Sequence, residues 1–197
     1  MSDDSIDDGD QEFAYEDYAE DTHFSFASVA ALTLTAVLMI IFGVFYMNTA
    51  WDFTDFIDFE GYTVMELIGG PLLIIAAYVS FKSGLVSESM VMAAFGLSMF
   101  VFGIMTAFSS NGPKLLDLMC AIVFIVAAIS MFATKDIFMG IATILMAAAF
   151  LMYVFFTGDI VSEVGGILMF IPGLMYLYCA IGNWLFVETG RDVLPIF

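Results

Sequence analysis

A polar side chain inside a long apolar run is costly in hydrocarbon and usually has a role there. This sequence has few. Glu66 lies about one helical turn into such a run, and Asn183 lies late in another; Thr33, Thr35 and Ser98 are milder cases. Glu66 either reaches back to the membrane surface or lines a path. Asn183 either bonds to a neighbouring helix or does the same. Backbone breakers are a second signal. Gly69-Gly70-Pro71 interrupts one run, and Pro172 follows Gly165-Gly166 in another. A helical proline cannot donate to the carbonyl four residues back, here that of Leu67 or Leu168. Carbonyls freed at membrane depth make polar sites without charged side chains. Small residues also let two helices approach closely, and both readings stand. The string Glu66-Leu67-Ile68-Gly69-Gly70 is echoed by Glu163-Val164-Gly165-Gly166. The register is not kept, so the echo is read as chance.

Other chemistry is absent. There is no Ser/His/Asp set, no pair of catalytic carboxylates, no phosphate-binding loop and no Cys/His ligand spacing. His23 is the single histidine, and Cys120 and Cys179 sit in apolar runs, where cysteine acts as a small hydrophobe. The expectation is a protein that is not an enzyme and uses no cofactor or metal. Between Trp51 and Glu60, Asp and Phe each recur every third residue. That pattern suits a short helix on the membrane surface. It does not match the Asp-x-Asp-x-Asp of a calcium loop.

The elements that carry these residues follow from composition. The chain has 197 residues, 62% apolar and 13% charged, with a mean hydropathy of +1.00. A soluble domain carries about 25% charge. Six runs are long enough to cross the hydrocarbon as helices: Phe24–Met47, Thr63–Phe81, Met90–Phe108, Leu115–Phe132, Ile137–Phe156 and Gly166–Phe186. The fold class is an all-α membrane protein of six transmembrane helices. Loops are short, so consecutive helices are expected to be antiparallel neighbours. Residues 1–23 hold ten acids and no Lys or Arg, which reads as an acidic disordered tail before a transmembrane domain over 24–197. With the N-terminus inside, Lys82, Lys135 and Arg191 are cytoplasmic and only Lys114 is outside, so both termini are expected to be cytoplasmic. Four bases against 22 acids exclude nucleic-acid binding. Lipid is the expected surrounding, in the plasma membrane.

The segment Tyr176-Leu177-Tyr178-Cys179-Ala180-Ile181-Gly182-Asn183-Trp184-Leu185-Phe186-Val187-Glu188-Thr189-Gly190-Arg191-Asp192-Val193-Leu194-Pro195-Ile196 resembles the ending of the acetate uptake transporter family, the succinate–acetate permeases. Gly69-Gly70, Ala76, Phe81-Lys82, Gly84 and Phe95-Gly96 fall at that family's spacing in the second and third spans. The resemblance covers roughly residues 24–197. It implies a homohexamer of six-helix protomers, each with its own pore, moving acetate or succinate with protons. It also implies an apolar constriction built by a Phe, a Tyr and a Leu from spans one, three and five. The Tyr position matches Phe95, the Phe position falls near Leu34, and the Leu position falls between Thr143 and Ala147, at Ile144. The family opens its first span with Asn-Pro-Ala-Pro-Leu-Gly. This chain has Ser25-Phe26-Ala27-Ser28-Val29-Ala30 there, where Ser25 and Ser28 are the residues left to cap a helix start for a carboxylate. The family often carries Glu where Asn183 stands, and Asn cannot titrate.

Candidate pore or substrate residues are therefore Leu34, Phe95, Ile144, Ser25, Ser28, Gly69, Gly70 and Asn183. Three functions stay open. One is a proton-linked transporter or channel for small monocarboxylates such as acetate. Another is a non-transporting membrane scaffold or assembly subunit. The third is a channel for a small neutral solute.

Overall fold

A computed structural model describes the backbone of residues 8–51, 59–108, 114–156, 158–190 and 194, and the side chains of 26–47, 61–108, 114–156, 158, 160–190 and 194. It contains helices α1 (Asp8–Trp51), α2 (Phe59–Lys82), α3 (Val86–Ala107), α4 (Lys114–Ala133), α5 (Ile137–Phe155) and α6 (Asp159–Thr189). Each holds a stretch long and apolar enough to span a membrane: Phe26–Met47, Gly61–Lys82, Val86–Ala107, Lys114–Ala133, Ile137–Phe155 and Ile160–Thr189. No strand occurs among the described residues. The sixth span begins earlier than its apolar run, because Glu163 and Gly165-Gly166 are absorbed into the first turns of α6. The expected acidic tail and the Asp/Phe-rich loop after Trp51 fall on residues whose side chains lie outside the described residues.

Two connections at one end of the bundle are built alike. After α2, the Gly84 N–H donates to the Phe81 carbonyl at 3.1 Å and the Leu85 N–H to that of Ser80 at 3.0 Å. After α4, the Lys135 N–H donates to Phe132 at 3.1 Å and the Asp136 N–H to Met131 at 2.9 Å. This pair of bonds closes a helix through one left-handed residue. Gly84 takes it freely at φ 81°, whereas Lys135 takes it at φ 67° with a side chain in the way. Asp136 then starts α5 by accepting from the Met139 N–H at 3.2 Å.

The helices form a ring. Each packs on its neighbours in sequence, and α1 closes on α6. The most extensive contacts are α1 with α6, α2 with α3 and α4 with α5, so the ring is three antiparallel pairs. The second and third of these pairs repeat one another at a shift of 51 positions. Buried Glu66, Leu73, Ala76, Ala77 and Ser80 of α2 correspond to buried Asp117, Phe124, Ala127, Ala128 and Met131 of α4. Buried Val91, Met92, Phe95, Ser98 and Met99 of α3 correspond to Ala142, Thr143, Met146, Ala149 and Phe150 of α5. A hydroxyl–sulfur contact recurs with its partners exchanged: Ser80 Oγ lies 3.3 Å from Met92 Sδ, and Thr143 Oγ1 lies 3.3 Å from Met131 Sδ.

The α1–α6 pair follows the same plan. A Cβ placed on Gly70 would lie 2.7 Å from the Gly96 carbonyl oxygen and 2.7 Å from Phe100. One placed on Gly166 would lie 2.8 Å from the Gly43 carbonyl oxygen and 2.8 Å from Met47. These distances leave no room for a side chain, so the two backbones cross at glycine. The Gly-Gly echo between spans two and six is therefore a structural repeat, not chance. Its acids are not equivalent, because the register slips by one residue before the glycines. The proline segments settle in the same way: α2 runs unbroken through Pro71 and α6 through Pro172. A Cβ placed on Gly69 would lie 3.0 Å from the Leu38 side chain of α1, so the Gly69-Gly70 pair packs against helices on two sides.

Candidate functional site

The repeat singles out one interior position in each pair. Phe42 precedes Gly43, Phe95 precedes Gly96 and Met146 precedes Ala147, the small residue at each crossing. Their exposures are 3%, 0% and 0%. Phe42 and Phe95 meet edge to face, with ring centroids 5.8 Å apart. Of the three residues expected to converge, only Phe95 lies inside the bundle. Ile144 is 39% exposed, because the buried stripe of α5 runs through Met139, Ala142, Thr143, Met146 and Phe150 and leaves position 144 on the outer face. Leu34 is half-buried on the flank of α1. It lines an outward apolar groove of about 570 Å³ with Phe26, Val37, Ile181 and Trp184.

Aromatic rings continue from Phe42 toward the end of the bundle where α1, α3 and α5 finish and α2, α4 and α6 begin. Phe42 stacks on Tyr46 at 4.7 Å and lies 5.8 Å from Tyr62. Tyr62 stacks on Phe45 at 3.6 Å, and Tyr46 reaches Tyr153 of α5 at 4.9 Å. Two acids are set among these phenols. Glu66 is 2% exposed and Asp117 is 6% exposed, at equivalent places in α2 and α4. Both carboxyls act electrostatically on Tyr46; Glu66 also acts on Tyr62, and Asp117 on Tyr153. Four atoms here are buried with no hydrogen-bond partner: Tyr62 Oη, Glu66 Oε2, Asp117 Oδ1 and Tyr153 Oη. A buried polar atom left unpaired costs about 1–3 kcal/mol.

The opposite half of the interior carries buried hydroxyls, with the acids Glu88 and Asp136 only half-buried near its end. Thr143 Oγ1 donates to the Met139 carbonyl at 2.8 Å and lies 3.2 Å from the Tyr176 hydroxyl of α6. Thr35, fully buried, donates to the Ala31 carbonyl at 2.8 Å. Ser28 is buried on α1, whereas the Ser25 side chain is outside the described residues. Asn183 is half-buried near the end of α6. Both cysteines are free and buried, and Cys120 Sγ approaches the Ala94 carbonyl of α3 at 3.6 Å. Among the described residues no group of three His, Cys, Asp or Glu is placed to hold a metal ion.

Asp117, Phe42, Met146 and the three tyrosines were not singled out by the sequence. Asp117 stands two residues into its apolar run and reads as a boundary. The signal that finds it is its 51-residue shift from Glu66.

The six-helix ring is a fold already seen in a solved membrane-protein structure. The bacterial acetate channel SatP has it: its solved structure superposes with a TM-score of 0.69 at 15% identity, over 87% of this chain and 98% of that one. No protein-family model matches the sequence, and no curated protein is significantly similar to it.

Proposed function

We propose that this multi-pass membrane protein is a channel or transporter for small monocarboxylates such as acetate, and for succinate. The observation that carries the reading is the level formed by Phe42, Phe95 and Met146 inside a ring fold shared with an acetate channel. These residues come from spans one, three and five, the spans from which the family resemblance draws its constriction. An apolar waist of this kind has few partners for water. It stays dry and blocks inorganic ions, while a small, partly apolar acid loses less on entering. The polar groups on either side, Glu66 and Asp117 at one end and Thr143 and Tyr176 at the other, mark the two approaches. Glycines 69 and 70 serve this path by holding α2 against α1 and α3, not by lining it.

The same reading makes transport proton-linked and places the protein in the plasma membrane as a homohexamer with both termini in the cytoplasm. Lys82, Lys135 and Arg191 on one side support the orientation. The acidic segment 1–23 precedes the first span, and from Asp8 onward its backbone is helical and continuous with α1. The test is uptake of labelled acetate into proteoliposomes, with and without an imposed proton gradient. Uptake above protein-free vesicles that rises with inward proton flow supports the reading.

A further inference from the structure

We infer that the buried polar cluster before the waist selects a small uncharged solute carrying both a carbonyl and an X–H donor, the group –C(=O)XH of an undissociated acid or a primary amide, and rejects the carboxylate anion. The inference rests on the proposed function and names the form of solute that passes. Three observations carry it.

The first is chemical. Asp117 Oδ1 is an acceptor without a donor and the Tyr153 hydroxyl a donor without an acceptor, whereas the Tyr62 hydroxyl interacts with the Glu66 carboxyl. A solute bearing one X–H and one carbonyl oxygen matches both kinds of orphan. A carboxylate anion brings acceptors only. It would serve the Tyr153 phenol and leave Asp117 unserved, while adding a like charge beside both acids.

The second is electrostatic. Lys82 and Lys135 lie at the other end of the helices, and Arg191 follows the end of α6 in the sequence. The fourth base, Lys114, is exposed at the start of α4. Lys114 acts on Asp117 from one turn away at the rim; the other described groups that face the cluster from α1, α2, α4 and α5 are Tyr46, Tyr62, Glu66 and Tyr153, none of them a cation. Sites for carboxylates are built from Arg, Lys or helix amides. This one is built from the opposite chemistry.

The third is the order of the layers. Two acids alone would also suit a cation. The rings of Tyr62 and Tyr46 contact Phe42, which contacts Phe95, so the path leads from the cluster into an apolar waist. A cation drawn to the acids would meet a dewetted ring that stops ions. Only an uncharged, donor-bearing solute is favoured by both layers. The repeat shows how the pair arose on the fold, since Glu66 and Asp117 hold one position in two copies of the same helix pair.

The experiment is stopped-flow entry of acetamide and acetate, shape-matched and differing in charge, into proteoliposomes of the full chain, with protein-free vesicles subtracted. At alkaline pH, where acetic acid is almost wholly ionised, acetamide should enter faster than acetate by about tenfold, the value of one well-placed hydrogen bond. Acetate entry should recover as acidification supplies the undissociated acid. The double variant Glu66→Gln/Asp117→Asn keeps shape and removes both charges, so the acetamide-to-acetate ratio at alkaline pH should fall several-fold toward unity. Glu66→Leu/Asp117→Leu should lose acetamide entry while remaining monodisperse in detergent. If the leucine pair does not fold, the amide pair still decides. Acetate entering at alkaline pH as fast as acetamide, or an unchanged ratio in the amide pair, would overturn the inference and leave the transport function standing. Methylammonium entering in place of acetamide would overturn it in favour of a cation site. Entry of neither acetamide nor acetate at any pH would overturn both readings.

Discussion

Phe95 carries two separable roles at the residue scale. As a fully buried ring it fills volume, and Phe95→Ala should cost about 3–5 kcal/mol from the cavity alone. On the proposed function it is also part of a waist and sets the width of a path. The two are separated by selectivity: Phe95→Ala should raise uptake of lactate relative to acetate, and Phe95→Tyr should shift the ratio the other way. A ratio unchanged in both variants, with stability lost in the first, would make Phe95 a packing residue only. Asp136 offers a test outside the membrane spans. Burial raises its carboxyl above the ordinary value of 3.8, against the lowering effect of the bond from the Met139 N–H. The folded protein therefore holds that proton more tightly than the unfolded chain. The resulting stability is present below about 3.8 and is lost as pH rises through the folded value. Asp136→Asn keeps an oxygen for Met139 and removes the titration. Thermal melts in detergent should show the variant gaining on the parent as pH rises through that window. Parallel curves would mean that the carboxyl titrates alike in both states.

At the scale of elements, the glycine crossings fix the geometry on which the site depends. Gly70→Val would push side-chain atoms into the Gly96 carbonyl and Phe100 backbone, both of which belong to a helix that cannot yield locally. Overpacking of this kind costs about 1–3 kcal/mol and often more against backbone. The same change at Ala121, the equivalent place in α4, should be milder, because an Ala already spaces that crossing. Comparable melting losses at both positions would contradict the repeat. The elements were also where reading the sequence worked best and where it failed. Long apolar runs without Lys or Arg mark the spans directly, since only helices satisfy their own backbone in lipid. Which face of a span turns inward was not legible. In α5 almost every residue from Ile137 to Phe155 is apolar, so the pattern has no phase. Ile144 and Met146 look alike until packing separates them. In α1, Leu34 and Phe42 are ambiguous for the same reason. Glu66 was visible because a charge breaks an apolar run well inside it, and Asp117 was not because it stands next to a loop. The 51-residue shift was in the sequence throughout. It lies in which positions are buried and small, not in residue identity: Glu pairs with Asp, Gly with Ala and Leu with Phe.

The described residues form a closed ring of six helices, with Phe42, Phe95 and Met146 buried between two groups of polar side chains. Its orientation has a direct check. In a background with Cys120 and Cys179 replaced by Ala, a single cysteine at Ser83 should be protected from an impermeant thiol reagent in whole cells, and one at Ser110 should be labelled. The reverse pattern would place the termini outside. The central claim is that small monocarboxylates pass through this ring, and the measurement that bears on it most directly is labelled acetate uptake into proteoliposomes of the full chain under an inward proton gradient. The account predicts uptake well above protein-free vesicles, reduced when the gradient is collapsed and when Phe95→Trp narrows the waist. Uptake equal to that of protein-free vesicles, in a preparation that is folded and monodisperse, would contradict it.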